Sequence, residues 1–361
     1  MSSDPIPATS PPRFLALDGL RGLAALSVML YHYLARYGTF DGLRHQTEFP
    51  YTFQWGWLGV NLFFVISGFV IYMSLDNRKA PLDFVVSRAI RLYPTYWAGI
   101  ILTTIVVSLV GLPFWNYRPW EIAVNFTMFQ SFALLPSVDG VYWSLAEELK
   151  FYLLMLFFRL IGLIQRPLLM CGTWLFFVSL YAVGREQWEI DWARRTCEIG
   201  FLLLSGSYCF WFISGIAIYG IFRNPSWKSN YAIMVLNSAY FFLPVGVSVY
   251  PTPLVAGLIL LIFVGTIFLR PAWLQHRLLI FLGTLSYPIY ILHQNIGYCV
   301  IKTCYQANLS GYVGVTAAVL FSLGSSWLVY QFIDVPLGDW LRKCYRDWRH
   351  RPCKPANQEL Q

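Results

Sequence analysis

About ten apolar runs follow one another through the 361 residues, most of them close to the twenty or so residues a helix needs to cross a bilayer. They lie at 14–36, 55–75, 92–112, 142–163, 168–184, 199–222, 231–249, 254–270, 278–301 and 312–334. The fifth is short, and Asn237, Ser238 and Pro244 interrupt the seventh. Charged residues make up 12% of the chain, about half the share of an average soluble domain, so a pair of soluble domains is excluded at this length. In hydrocarbon each backbone N–H and C=O must be satisfied within the protein, which makes such runs helical. The expected fold is all-α, a polytopic membrane protein built as a bundle of about ten transmembrane helices.

Basic residues set its orientation. Arg13, Arg78, Lys79, Arg88, Arg91, Arg159, Arg166, Arg223, Lys228, Arg270 and Arg277 fall on one set of alternating segments, and Arg342, Lys343, Arg346, Arg349, Arg351 and Lys354 join them at the end. The opposite segments hold only Arg36, Arg44, Arg118, Arg185, Arg194, Arg195 and Lys302. Cationic loops stay on the cytoplasmic side, so both termini are expected there. The chain then divides into a cytoplasmic leader (1–13), a transmembrane domain (14–334) and a basic cytoplasmic tail (335–361), multi-pass in the cell inner (plasma) membrane. The leader MSSDPIPATSPPR lacks the features of a cleavable signal. The net charge of +8 is a topology signal; the tail can also touch anionic lipid, and nothing suggests nucleic acid. No internal repeat of the transporter kind is visible. The seven cysteines show no metal spacing, and whether Cys299 and Cys304 pair is open. The long connections 37–54, 113–141 and 185–198 are all expected outside. In or beside them, Tyr51, Trp55, Trp57, Trp115, Tyr117 and Trp120 can stack on sugar faces or form an aromatic belt.

Polar residues inside the spans carry the functional signal. Arg21 and His32 share one apolar run, LALDGLRGLAALSVMLYHYL, and an ionisable residue at membrane depth usually faces a protein interior or a watery cavity. Eleven residues is close to three helical turns, so the two side chains share a face about 16 Å apart along the axis. Asp18, Ala25 and Val28 lie on that stripe, the last two leaving room beside it. In SRAIRLYPTYW, Arg88 and Arg91 stand one turn apart at a cytoplasmic membrane edge, a donor pair suited to phosphate. The run VYWSLAEELKFYLL holds Glu147, Glu148 and Lys150; Glu147 can pair with Lys150 across one turn, leaving Glu148 to be explained. By the topology this helix end lies in the outer half with His32, where a carboxylate can fix the tautomer of a general base. In FLGTLSYPIYILHQNIG, Ser286, Tyr290 and His293 fall on one face, able to orient a polar substrate or to bond neighbouring helices, and Pro288 can kink the helix. In GVNLFFVISGFVIY, Ser67 and Gly68 read as a close-packing contact.

Five stretches in this order, LDGLRGLAALSVMLYHY, GVNLFFVISGF, SRAIRLYPTYW, VYWSLAEELKFYLL and LSYPIYILHQ, resemble the acyltransferase-3 family of membrane O-acyltransferases that modify bacterial surface sugars. The resemblance runs from about residue 14 to 334. It matches Arg21 and His32 to the family's Arg-x10-His pair, and Arg88 and Arg91 to its Arg-x-x-Arg pair. It implies an acyl-CoA donor (acetyl-CoA expected) from the cytoplasm, a carbohydrate or lipid-linked glycan acceptor reached from outside, and no metal or permanently bound cofactor. On this reading His32 is the base, Glu148 supports it, and Arg21, Arg88 and Arg91 bind acyl-CoA. Asp18, Ser286, Tyr290 and His293 then orient substrate, and the donor arm passes Ala25 and Val28. Two departures stand out: Asn61 where many members are acidic, and the order Glu147–Glu148–Leu149, which aligns Glu148 and displaces Glu147. No hydrolase-like domain is appended, so the chain is expected to act alone or with a separate partner. The rival reading is a transporter of an anionic solute using the same charges.

Overall fold

The computed structural model of the protein describes residues 14–41, 43–50, 52–76, 80–241 and 252–349. Every regular element among them is helical. Helix α1 (Leu15–Tyr31) runs into a π-type turn (His32–Arg36) and is followed by the short α2 (Gly38–Asp41) and α3 (Leu43–Glu48). Next come α4 (Gly59–Asp76), α5 (Pro81–Val110), α6 (Pro119–Asn125), α7 (Trp143–Leu160) and α8 (Pro167–Gln187). They lead to α9 (Asp191–Leu203), α10 (Cys209–Arg223), α11 (Lys228–Phe241) and α12 (Pro253–Leu269). The chain then forms α13 (Arg277–Thr284), α14 (Ser286–Leu292) and α15 (Gln294–Gln306) in series, α16 (Gly311–Val329), a second π-type turn (Tyr330–Asp334) and α17 (Val335–Arg349).

Among the described residues, four helical stretches are long and apolar enough to cross a membrane: Gln54–Leu75, Pro81–Val110, Pro167–Gln187 and Gly311–Arg349. Cys209–Arg223 and Pro253–Leu269 are apolar but shorter. Two of the expected continuous spans are divided. The run at 199–222 breaks between α9 and α10, where Ser205 takes a positive φ of 50°. The run at 278–301 is three helices meeting at Leu285 and His293, with Pro288 removing one backbone donor from the middle piece. In the run at 231–249 the helix reaches Phe241; Pro244 lies outside the described residues, as do 1–13, Tyr51, Arg78, Lys79, Arg351 and Lys354. Residues 335–349, expected as part of a separate basic tail, instead continue α16 as an amphipathic helix with Trp340 and Trp348 exposed. It is tied to the start of α5, where Tyr345 donates to Asp83 at 2.7 Å and Arg349 pairs with the same carboxylate.

The contact between α4 and α10 is made by backbone. A Cβ on Gly68 would overlap the Phe212 carbonyl, and one on Gly215 would overlap the Val65 carbonyl, so glycine at both positions sets the interhelical distance. Gly68 is thus the packing residue the sequence suggests, whereas its neighbour Ser67 turns away and donates to Glu148 at 2.8 Å. Replacing Gly68 by Val is expected to lower the stability of the detergent-solubilised protein by about 1–3 kcal/mol through overpacking. Gly172→Ala, in open space on α8, is the control that should leave the thermal transition in place. Equal transitions for both variants would contradict this packing.

Candidate active site

Two helices bring three cations to one cavity. α1 supplies Arg21, α5 supplies Arg88 and Arg91, α7 adds Ser144, Glu148 and Tyr152, and α14 adds Ser286, Tyr287 and Tyr290, around a space of ≈ 150 Å³. α5 starts on Pro81, suited to a first helical turn, and stays helical through Pro94, so Arg88 and Arg91 project together one turn apart. The Arg88 guanidinium lies over Phe84 (5.8 Å) and Tyr152 (6.0 Å), and that of Arg91 over Tyr287 (5.8 Å). Arg91 is exposed and marks the mouth; the Arg88 Nε is buried with no hydrogen-bond partner. The single carboxylate, Glu148, accepts from Ser67 at 2.8 Å and from Tyr152 at 2.5 Å. Among the described residues none of the three guanidiniums is in an ion pair. Charges held inside a protein without partners are costly, so the cavity is chemically suited to an anion with several acceptor oxygens.

The geometry redistributes several expected roles. Glu148 is not beside His32. The first turn of α7 is already deep in the bundle, where the Ser144 hydroxyl meets the Tyr290 hydroxyl at 2.6 Å, and Glu148 lies one further turn down, near Arg21. Ala25 and Val28 are fully buried and are not among the residues that line this cavity. Of the three residues placed on one face, Ser286 (donating to the Gly283 carbonyl at 2.7 Å) and Tyr290 line the cavity, and His293 does not. Asp18 is half-buried and acts electrostatically on Arg21 from outside the cavity wall. Glu147 does pair with Lys150, at 2.6 Å, and Lys150 also donates to the Leu202 carbonyl, fastening α7 to α9.

His293 instead meets His32. Its Nε2 is 3.1 Å from His32 Nδ1, which also lies 2.8 Å from the Val28 carbonyl. The other nitrogen of His293 sits 3.0 Å and 2.9 Å from the Ile289 and Tyr290 carbonyls. The two residues are 261 apart in sequence, and the sequence signals available, a lone histidine in each of two spans, do not announce a pair. The pair stands behind Tyr290, whose ring centroid is 5.8 Å from that of His293. On its far side, Tyr298 (6.5 Å from the His32 ring) lines a second recess of ≈ 410 Å³ with Tyr37, Phe40, Phe114 and Lys302.

Asp139 holds this region together, and nothing in the sequence singled it out. The carboxylate accepts from the backbone N–H of Asn295 (3.0 Å) and of Val141 (3.2 Å), capping α15 at the point where the helical series breaks. Burial pushes this carboxyl up to about 7, against the downward pull of those two N–H groups. A carboxyl raised in the folded state stabilises it at low pH, and that contribution is lost as pH rises through about 7. The stability of wild type relative to Asp139→Asn is therefore expected to fall between pH 5 and 8, by at most about 1.4 kcal/mol per pH unit. A pH-independent difference in thermal transitions would contradict it.

Among the outer aromatics, Trp115 donates to the Val138 carbonyl (3.2 Å) and Tyr117 to that of Ser137 (2.7 Å), so both polar groups fasten their own loop. Trp55 and Trp120 are exposed. Cys299 and Cys304 are both free thiols on α15.

An acyltransferase-domain profile matches residues 14–331. The chain is 25% identical to the O-acetyltransferase OatA of Staphylococcus aureus over 386 aligned residues, covering 90% of this chain and 57% of that protein. It is 27% identical to the putative acetyltransferase ORF330 of Acidianus two-tailed virus, over 76% and 80% of the two chains. It is 31% identical to the putative peptidoglycan O-acetyltransferase YrhL of Bacillus subtilis, over 41% of this chain and 24% of that one. The chain thus spans a little over half the length of OatA. No solved structure is detectably similar. The transporter alternative finds no support among these relatives.

Proposed function

The chain belongs to the acyltransferase-3 family, and from that premise we propose that it is an integral-membrane O-acyltransferase using acyl-CoA, with acetyl as the acyl group. The observation that carries the reading is the cavity in which Arg21, Arg88 and Arg91 face a single carboxylate. A CoA diphosphate offers the acceptor oxygens that guanidiniums bind with charge-assisted bonds. Arg88 and Arg91 hold it at the mouth, and Arg21, deeper in, guides the thioester end. Glu148, bonded to Ser67 and Tyr152, keeps that wall ordered and moderates the positive field. The acceptor is an exported carbohydrate or lipid-linked glycan, in keeping with the printed names of OatA and YrhL as O-acetyltransferases.

The reaction runs between the two ends of the site. The thioester enters past Ser144 and Tyr290, and the acceptor hydroxyl comes from the Tyr298 recess on the other side of His32. The imidazole of His32 takes the hydroxyl proton, the oxygen attacks the thioester carbonyl, the C–S bond breaks, and the departing thiolate recovers the proton from His32. About ten spans, both termini in the cytoplasm and residence in the plasma membrane complete the proposal, supported by the distribution of basic residues.

Purified protein given radiolabelled acetyl-CoA and an extract of the host's envelope glycans tests it. Wild type is expected to label glycan; His32→Ala should lower the rate about 10²–10⁴-fold with donor binding intact. Arg88→Ala or Arg91→Ala should raise the donor KM about 10–10²-fold, the effect of losing one charge-assisted contact. Unlabelled glycan from wild type, or full turnover by His32→Ala, contradicts the proposal.

A further inference from the structure

We infer that His293 is a positioning residue for His32, fixing its tautomer and accepting a hydrogen bond from its imidazolium, a role for which the sequence points to a carboxylate. The inference rests on the proposed acyl transfer with His32 as base. Its foundation is the network of contacts around the two rings. His293 Nδ1 faces two backbone carbonyls, Ile289 and Tyr290, at 3.0 and 2.9 Å. Carbonyl oxygens only accept, so Nδ1 carries the proton and the neutral ring presents a lone pair at Nε2. That lone pair points at His32 Nδ1, 3.1 Å away, which also has the Val28 carbonyl at 2.8 Å. Two acceptors at His32 Nδ1 place its proton there. The lone pair of His32 is therefore at Nε2, and His32, unlike the fully buried His293, is only half-buried. One set of protons satisfies all four contacts, and it leaves the base with its reactive nitrogen free.

Among the described residues, none near His32 offers the carboxylate that usually orients a catalytic imidazole. The groups that face the pair are Arg36, which follows His32 in the π-type turn, and the hydroxyl-bearing rings of Tyr31, Tyr33, Tyr290 and Tyr298. When the acceptor proton arrives at His32 Nε2, the positive ring donates from Nδ1 into the His293 lone pair, and no proton passes to His293. When the thiolate leaves, the proton goes from Nε2 to sulfur and the starting tautomers remain. The immobility this needs is built in: His293 is fully buried, its carbonyl accepts from Tyr33 at 2.6 Å, and Tyr33 is in turn bonded to Ser322 at 2.7 Å.

Two amide substitutions separate positioning from a merely structural role. His293→Asn puts an amide N–H₂ near the place of Nδ1, keeping the backbone contacts to Ile289 and Tyr290 and removing the acceptor for His32. His293→Gln puts an amide oxygen near the place of Nε2, restoring that acceptor and loosening the backbone contacts. Steady-state transfer from radiolabelled acetyl-CoA to the envelope-glycan extract is measured for both, with thermal transitions. The expected result is a loss of about 10²-fold in kcat for His293→Asn, with unchanged donor KM and an unchanged transition. His293→Gln is expected within about tenfold of wild-type kcat whatever its stability. Wild-type kcat in His293→Asn, or His293→Gln no faster than His293→Asn, overturns the inference. Full activity of His32→Ala in the same assay overturns the proposed base as well; an inactive His32→Ala beside a fully active His293→Asn overturns the positioning role alone.

Discussion

Three guanidiniums held around one carboxylate inside an apolar bundle are the constraint on which the rest of the site depends. Each would be expensive to bury alone, and among the described residues none is neutralised by an ion pair. Aromatic faces of Phe84, Tyr152 and Tyr287 provide partial compensation, and the exposure of Arg91 provides more. What is left over is affinity for anionic oxygen. The bundle supports this arrangement by placing α1, α5, α7 and α14 around the same space, each contributing polar atoms from an otherwise apolar helix.

The second half of the site is made by breaking helices. The ninth apolar run is divided at Leu285 and His293, and α1 passes into a π-type turn at His32. Such irregularities free backbone carbonyls and turn side chains out of the regular spiral, a pattern frequent at functional sites. Here the His293 side chain reaches back to the Ile289 and Tyr290 carbonyls, and Asp139 caps the next helix from a loop. The two halves meet at Tyr290, which lines the cationic cavity, bonds Ser144 at 2.6 Å and lies beside His293.

The sequence shows the apolar runs, the helical class and the Arg88–Arg91 pair clearly, because hydropathy and local spacing report them directly; grouping Arg21 with that pair is what the family resemblance implies. The eleven-residue spacing from Arg21 to His32 also survives, since α1 is regular between them. The misplaced partner of His32 has a physical reason. The start of the apolar run places α7 with Glu148 near its outer end, whereas the turn before it is already buried, which moves Glu148 down to Arg21. His293 could be placed in the right helix but not turned toward His32, because breaks at Leu285 and His293 defeat a constant helical phase. Asp139 sits in a loop with no periodicity, and its hold on α15 is a contact 156 residues away.

The central claim is that donor and acceptor meet from opposite faces of the membrane. The most direct measurement uses sealed proteoliposomes holding protein of one orientation, with the glycan acceptor inside or outside and radiolabelled acetyl-CoA added to one face. The account predicts labelled glycan only when acetyl-CoA reaches the face carrying Arg88 and Arg91 and the acceptor lies across the bilayer. Labelling that requires both substrates on the same face would contradict it.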